Sequence, residues 1–235
     1  MLLYIIRHGD PIYETDSLTP RGVRQAEALS RRLSVNGVDE IYSSPLGRAV
    51  QTAKPSADIF KLDIIIEEWM SEKLIWDELS IINEKGQRTW FHACQNTNLF
   101  LSGDVLRPDW YNHAQAMKCP GAKKSYERIQ AASDDFTQRL GYKREGDVYK
   151  IIEPSIKRIA AFCHAGFGTA WLSYLLSVPP LVFWAGFDLS HSGVTILDFA
   201  NNKDGLTSPR CLVHSDMSHI YEDRLPMEYN NATRV

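Results

Sequence analysis

Residues 2–66 alternate short apolar runs with helical patterns, and this alternation limits the folds open to the chain. The apolar runs cover residues 2–7, 40–43 and 62–66. Between the first two, Thr19 is placed to cap a helix that starts at Pro20 and ends near Asn36-Gly37. A second helix is predicted over 45–60. Strands linked by helices pair in parallel, so the pattern predicts a three-layer α/β/α fold with a mostly parallel central sheet.

The segment 73–124 breaks this pattern. It is rich in large aromatic residues, namely Trp76, Trp90, Phe91, Phe100 and Trp110. We predict that this segment is an insertion of helices and loops within a single domain covering 1–235. The insertion would cover the mouth of the ligand site that is expected at the carboxyl ends of the strands. Its aromatic residues would form a small subsidiary core and line the roof of the pocket, where they would select the substrate.

Regular patterns return after this segment. Ser125 is predicted to cap a helix over 125–140. The later predictions are an extra strand over 147–153, a strand over 156–163, a helix over 168–177, strands over 193–199 and 211–214, and a polar tail of about fifteen residues.

Composition excludes several classes of protein. The chain has 235 residues, a hydrophobic content of 44% and a formal net charge of −3, which argues against a general nucleic-acid binder. No apolar run approaches the roughly 18–20 residues that span a bilayer, so no membrane association is predicted. The four cysteines show no paired spacing, which favours reduced thiols and a cytoplasmic location. The sequence leaves a homodimer open.

The first apolar run delivers Arg7-His8-Gly9 at its carboxyl end. Ligands of open α/β sheets bind outside the carboxyl ends of the strands. Arg7 can hold an anion with a planar fork of donors, and a neutral His8 can supply a nucleophilic nitrogen. These residues therefore suit attack on a phosphate group.

Three further segments accompany this motif: Leu-Thr-Pro-Arg-Gly at 18–22, Ser-Ser-Pro-Leu-Gly-Arg-Ala at 43–49, and a second apolar strand that ends in Cys-His at 163–164. In this order, the set resembles the histidine phosphatase superfamily, also called the phosphoglycerate mutase-like fold. The resemblance is close over 2–72 and looser over 156–199.

The resemblance implies roles for five residues. His8 would be the nucleophile that becomes a phosphohistidine, while Arg7 and Arg48 would hold the phosphoryl oxygens. His164 would be a second phosphate contact that stabilises developing charge. Glu72 would protonate the leaving group and should be partly buried, with Glu68 as the alternative acid.

Four other residues are candidate phosphate or substrate ligands. Thr19 could touch the rim of the site or only cap a helix. Lys123 and Lys124 could bind a second anionic group of the substrate, or could be solvated charges on a turn. His191 precedes a strand and could reach the phosphate.

The function expected from these residues is a metal-independent phosphomonoesterase without a cofactor, acting on a small phosphorylated metabolite. Because Ala165-Gly166 follows the second His and Asp10-Pro11 follows the first motif, where mutases of the superfamily differ, hydrolysis is favoured over phosphoryl return. A phosphoglycerate mutase, a protein phosphatase and a catalytically silent binding module are the alternatives. The His and Cys residues at 92, 94, 113 and 119 match no usual zinc spacing.

Overall fold

A six-stranded sheet lies at the centre of the computed structural model, which describes residues 1–83, 85–90, 100–101, 103–114 and 116–227. In chain order the strands are β1 (Leu2–Arg7), β2 (Pro11–Ile12), β3 (Ser17–Leu18), β4 (Glu40–Ser43), β5 (Ile64–Ile66), β6 (Ser80–Ile82), β7 (Arg88–Trp90), β8 (Tyr142–Glu145), β9 (Val148–Ile151), β10 (Arg158–Cys163), β11 (Val194–Asp198), β12 (Leu206–Thr207) and β13 (Arg210–Asp216). The helices are α1 (Pro20–Asn36), α2 (Gly47–Phe60), α3 (Glu72–Leu79), α4 (Ala122–Arg139), α5 (Ala165–Leu175), α6 (Pro180–Gly186) and α7 (Ser218–Glu222).

The strand order of the central sheet is β13-β11-β1-β10-β4-β5. The pairs β1–β10, β10–β4 and β4–β5 are parallel, whereas β11 runs antiparallel to both of its neighbours. The predicted mostly parallel sheet is therefore confirmed. Its parallel strands bring their carboxyl ends to one edge, which is where the sequence placed the site.

Helices cover both faces of this sheet, which completes the predicted three layers. On one face α1 and α2 pack on alternate strand residues such as Ile6, Ile41 and Phe162. On the other face α4, α5 and α6 pack on residues such as Leu3 and Ala161. The central strands are thus buried on both sides, which explains their continuous apolar sequence. Helix α7 packs against α1.

The boundaries of α1 follow the predicted caps. The Thr19 hydroxyl accepts the N–H of Gly22 at 3.0 Å, and Pro20 stands at the first helical position. At the other end Gly37 adopts a φ of 83°, a conformation that an L side chain would strain.

The prediction that Ser125 caps a helix is wrong. Helix α4 starts at Ala122, and Ser125 is buried inside it because this helix packs on the core through that side. Helix α2 starts at Gly47, after Pro45, and α5 starts at Ala165, three residues before its predicted start at 168.

The extra strand predicted over 147–153 belongs to a different sheet. Strand β9 pairs with β8 and β12 in a small three-stranded sheet, separate from the central one. The hairpin partner β8, in which three consecutive charged residues follow Tyr142, was missed, as were α6 and α7. The predicted polar tail therefore contains the end of α7, and residues 228–235 of the tail lie outside the described residues.

Within the described ranges, none of the helices has the length and apolar character needed to cross a bilayer.

Candidate active site

Two neighbouring parallel strands place two imidazole rings side by side. Arg7 ends β1 and Cys163 ends β10, and these two residues are register partners. The next residue of each strand is a histidine, so His8 and His164 face each other with ring centroids 5.1 Å apart. Both rings are almost fully buried. The register of the sheet thus fixes the predicted pair.

The proton on His8 is located by its hydrogen bond. Its Nδ1 atom lies 2.7 Å from the carbonyl oxygen of Gly9, which can only accept a hydrogen bond. Nδ1 therefore carries the proton, and Nε2 keeps a lone pair. Nε2 is buried and has no hydrogen-bond partner among the described residues. Burial, and then the nearby His164 and Arg7, lower the pKa of His8 well below 6.5, so the ring stays neutral.

Arg7 is held in place by uncharged groups. Its Nη1 atom donates to the Leu189 carbonyl at 2.5 Å, and its Nη2 atom donates to Nε2 of His191 at 2.8 Å. Because a guanidinium only donates, Nε2 of His191 is the acceptor, so Nδ1 carries the proton. That Nδ1 lies 3.7 Å from Asp10. Burial, then the charge of Arg7, lower the pKa of His191 to about 3, so it too is neutral.

Arg48 lies between two carboxylates. As predicted, it stands in the first turn of α2. Its Nη1 atom donates to Asp16 Oδ1 at 2.5 Å, and its Nη2 atom is 3.4 Å from Glu72 Oε2. The ring of Tyr13 covers the guanidinium at 5.4 Å. The charge of Arg48 is therefore fixed between the β2–β3 hairpin and the start of α3.

Glu72 is the carboxylate that the structure brings to the two histidines. It is the first residue of α3, and its side chain is 12% exposed, as expected for a partly buried acid. Oε1 accepts the backbone N–H of Gly166 at 2.8 Å, and Oε2 lies 3.8 Å from Nδ1 of His164. Glu68, the alternative acid, is exposed in a short 3-10 turn (Glu68–Met70).

His164 is held through its other nitrogen. Nε2 lies 2.7 Å from the Ser44 hydroxyl, which follows β4, and Nδ1 has no hydrogen-bond partner among the described residues. Burial, then the charges of Arg48 and Arg7, lower the pKa of His164 well below 6.5. A neutral ring with an unpartnered nitrogen facing Glu72 can still accept or donate one hydrogen bond to a ligand.

Donor atoms of His8, Glu72 and His164 all lie within 4.8 Å of one another, and these are residue types that bind zinc. Two fixed positive charges stand beside them, however. Arg48 is 3.4 Å from the Glu72 carboxylate, and the charge of Arg7 contributes to the lowered pKa of His8 and of His164. These charges raise the free energy of a bound cation and lower that of a bound phosphate. The cluster therefore suits an anion better than a metal ion.

The remaining predicted ligands lie elsewhere or have a different role. Thr19 caps α1 and donates to Asp10 at 2.6 Å, which places it in the support of the rim. Lys123 covers the ring of Tyr111 at 4.4 Å and lines a separate cavity of about 610 Å³ with Arg144. Lys124 follows it in α4, near Glu78.

Several supporting residues were missed by the sequence argument. Ser44, Asp16 and the backbone N–H of Gly166 each bond to one of the predicted residues. Ser44 could have been found, because it lies in the Ser-Ser-Pro segment that carries the resemblance. Asp16 has no local pattern of its own, since its partner Arg48 is 32 residues away.

The aromatic residues of 73–124 divide between the core and the site. Trp90 lies against Gly166: a Cβ atom added to that glycine would fall 2.5 Å from the Trp90 ring. Trp76 packs on Trp90 edge to face, at 4.8 Å. Trp110, in contrast, is buried against Tyr126 and Trp184 and belongs to the main core on one face of the central sheet, so the prediction of a separate small core is wrong for this residue. Phe91, His92 and Cys94 lie outside the described residues.

Comparison with known proteins supports the resemblance. The model of the histidine phosphatase superfamily (branch 1) matches residues 3–99, a range that includes Arg7, His8, Arg48 and Glu72 and leaves out His164 and His191. A probable phosphoglycerate mutase, GpmB, of Yersinia pestis (strain Pestoides F) is 35% identical over 79 residues. That match covers 30% of this chain and 37% of the relative, so it spans little more than a third of the relative's length.

Solved structures share the whole fold. Phosphoserine phosphatase from Entamoeba histolytica, in complex with 3-phosphoglyceric acid, superposes with a TM-score of 0.61 at 22% identity, over 93% of this chain and 98% of that one. Mycobacterial glucosyl-3-phosphoglycerate phosphatase gives 0.58 at 18% identity, over 91% and 98%. Alpha-ribazole phosphatase from Shigella flexneri gives 0.58 at 18%, over 92% and 97%. At these identities the likeness establishes the fold.

Proposed function

We propose that this chain is a metal-independent phosphomonoesterase of the histidine phosphatase superfamily, whose model matches residues 3–99, and that it acts on a small phosphorylated metabolite in the cytoplasm. The observation that carries this proposal is the state of His8. Its proton is on Nδ1, and Nε2 presents a buried lone pair beside Arg7 and His164. A nitrogen of this kind can attack phosphorus without first losing a proton.

In the first step His8 Nε2 forms a bond to phosphorus, and the bond from phosphorus to the ester oxygen breaks. Glu72 gives its proton to the departing oxygen. The imidazole becomes positive as it is phosphorylated. The Gly9 carbonyl accepts the Nδ1–H of His8 at 2.7 Å and stabilises that charge.

In the second step a water molecule attacks the phosphohistidine. Glu72, now ionised, takes a proton from the water, the nitrogen–phosphorus bond breaks, and inorganic phosphate leaves. Arg7, Arg48 and His164 stabilise the negative charge on the phosphoryl oxygens in both steps, with His191 holding Arg7 in orientation. The residues supply both the acid and the positive charge, so the proposed steps need no metal ion.

The experiment is release of phosphate from p-nitrophenyl phosphate in buffer that contains a chelator, with wild type beside His8→Ala. We expect turnover in the wild type and loss of it, by at least about a thousandfold, in the variant. Lys54→Ala, an exposed change on α2, is the control. Turnover that survives in His8→Ala would contradict the proposed nucleophile. A wild type that fails to hydrolyse but interconverts phosphoglycerates would instead support the mutase alternative.

A further inference from the structure

A carboxylate is built into the rim of the site next to Arg48. Asp16 lies in the tight hairpin between β2 and β3, with a φ of 48°. Both of its oxygens are used: Oδ1 accepts Arg48 Nη1 at 2.5 Å, and Oδ2 accepts the N–H of Gly47 at 2.6 Å. A negative charge is thus fixed where the first turn of α2 would otherwise offer a guanidinium and a free N–H to an anion.

Gly47 makes this close approach feasible. A Cβ atom on Gly47 would lie 2.3 Å from the Asp16 carbonyl oxygen, closer than any side chain allows. The hairpin can therefore lie this close to α2 for two reasons: Gly47 has no side chain, and Asp16 adopts a left-handed backbone conformation. The carboxylate is still accessible, because 36% of the Asp16 side chain is exposed.

Asp16 and Glu72, the proposed acid, contact the same guanidinium group. Arg48 bonds Asp16 through Nη1 and approaches Glu72 through Nη2, at 3.4 Å. The two carboxylates are therefore separated by one guanidinium group. If Glu72 protonates the departing oxygen, the alcohol part of the substrate passes within reach of the Asp16 charge.

Two other cations of the described residues are also engaged away from the Arg48 position. Arg21 pairs with Asp10 at 2.8 Å, and Lys123 lines the separate cavity near Tyr111. A second anionic group on the substrate would have to lie beside the Asp16 carboxylate or displace it from two hydrogen bonds. Repulsion between the Asp16 carboxylate and a second anionic group therefore disfavours the binding of a substrate that carries such a group.

Two aromatic rings lie near Arg48 and Glu72. Tyr13, 60% exposed, covers Arg48 at 5.4 Å, and Trp90 lies against Gly166, whose N–H bonds Glu72. Rings of this kind offer apolar faces to the alcohol part of an ester.

We propose that Asp16 is a specificity-determining residue that selects phosphate esters of uncharged or cationic alcohols with an apolar, aryl-like surface, and rejects esters that carry a second anionic group. This inference rests on the proposed function. It excludes phosphorylated acids, such as phosphoglycerates, as good substrates.

The test uses aryl phosphates that differ only in one remote group: para-ethylphenyl phosphate, its aminoethyl analogue and its carboxyethyl analogue. In the wild type we expect kcat/KM for the ammonium ester to exceed that for the carboxylate ester by roughly tenfold or more, with the neutral ester between them. Asp16→Asn keeps an acceptor for Gly47, and Asn tolerates a positive φ, so the hairpin is retained. In this variant the ratio of kcat/KM for the ammonium ester to kcat/KM for the carboxylate ester should fall to within about threefold of unity.

Glu14→Gln is the matched control, because it removes the same charge from an exposed position of the same hairpin. It should keep the wild-type ratio. Equal rates for all three esters in the wild type would overturn this inference and leave the proposed function standing. A uniform loss on all three esters in Asp16→Asn would show a purely structural role and overturn it as well. A wild type that hydrolyses none of them would overturn the proposed function, and this inference with it.

Discussion

The strand-end cluster, formed by Arg7, His8, Arg48, Glu72 and His164, differs from the aromatic segment 73–124 in how it is positioned. In the cluster, the register of β1 and β10 sets the distance between His8 and His164, while Arg48 and Glu72 stand in the first turns of the helices that follow β4 and β5. The aromatic segment reaches the site through ring contacts, with Trp76 on Trp90 and Trp90 on Gly166.

This difference separates the residues that are proposed to catalyse the reaction from those that are expected to select the substrate. Backbone pairing tolerates little variation, because a shift of one residue turns every side chain of a strand to the other face. Ring packing can change with a single substitution while the sheet stays intact. We therefore expect changes in the strand-end cluster to act on turnover, and changes in the aromatic segment to act on substrate affinity.

The largest effect should follow from Arg7→Lys. An ammonium cannot reach both the Leu189 carbonyl and His191 in the way the planar guanidinium does, and it could not make the bidentate contact to a phosphoryl group that the proposal assigns to Arg7. We expect kcat/KM for p-nitrophenyl phosphate to fall by about a hundredfold to a thousandfold, measured by release of p-nitrophenol. A loss of less than about threefold would show that the buried arginine serves the fold rather than the phosphate.

The next effect concerns Glu72→Gln. The amide cannot protonate a departing alkoxide, so esters of poor leaving groups should lose about a hundredfold in turnover while p-nitrophenyl phosphate loses far less. Steady-state rates on p-nitrophenyl phosphate and on an alkyl phosphate provide the comparison. Equal losses on both substrates would move the acid role away from Glu72. Glu68→Gln, in the exposed 3-10 turn, is the control and should change neither rate.

Stability should depend on pH because several histidines are buried in the neutral form. Burial is the first cause that lowers the pKa of His191 to about 3 and that of His219 to about 4. In the unfolded chain these rings take up protons below about pH 6.5, while the folded protein does not. The free energy of unfolding should therefore fall by up to about 2 kcal/mol per such histidine between about pH 7 and pH 5.

Chemical denaturation at the two pH values measures this. His219→Asn, which removes a ring that contacts Ser192 at 3.0 Å, should show a smaller difference between them than the wild type does. A free energy of unfolding that stays constant or rises toward the acid side would contradict the neutral state assigned to these rings.

The smallest effect should come from the aromatic segment itself. Trp76→Ala removes the edge-to-face contact with Trp90 and leaves the strand-end cluster untouched. We expect KM for aryl phosphates to rise by about threefold to tenfold while kcat stays within about twofold. Trp110→Phe, in the buried cluster with Tyr126 and Trp184, should change neither constant. A fall in kcat as large as that in Arg7→Lys would erase the distinction between the two regions.

The same difference explains how much could be predicted from the sequence. Strand β1, helix α1 and strand β4 have local signals, such as apolar runs, Thr19-Pro20 and Gly37, and their ends agree with the structure. Arg7 and His8 were found because they stand at, and directly after, the end of β1. Asp16 was missed because its role depends on a partner 32 residues away, whereas Ser44 follows β4 directly, in the segment that carries the resemblance, and was overlooked.

Tertiary contacts also overrode local patterns. Ser125 has the residue type of a helix cap, but α4 continues past it toward Ala122 since that turn packs into the core. The predicted strand 147–153 is real over Val148–Ile151, but its pairing with β8 could not be predicted from alternation alone. Lys123 was chosen for its charge, and the structure places it by Tyr111.

The most direct test of the account is to trap the phosphorylated enzyme. Wild type and Glu72→Gln would be mixed with p-nitrophenyl phosphate, quenched in alkali within the first turnovers, and digested for mass spectrometry of the peptide that contains residue 8. The account predicts one phosphoryl group on His8, stable in alkali and lost in acid, and more of it in Glu72→Gln because attack by water is slowed. Turnover without any adduct, or with an adduct on another residue, would contradict His8 as the nucleophile.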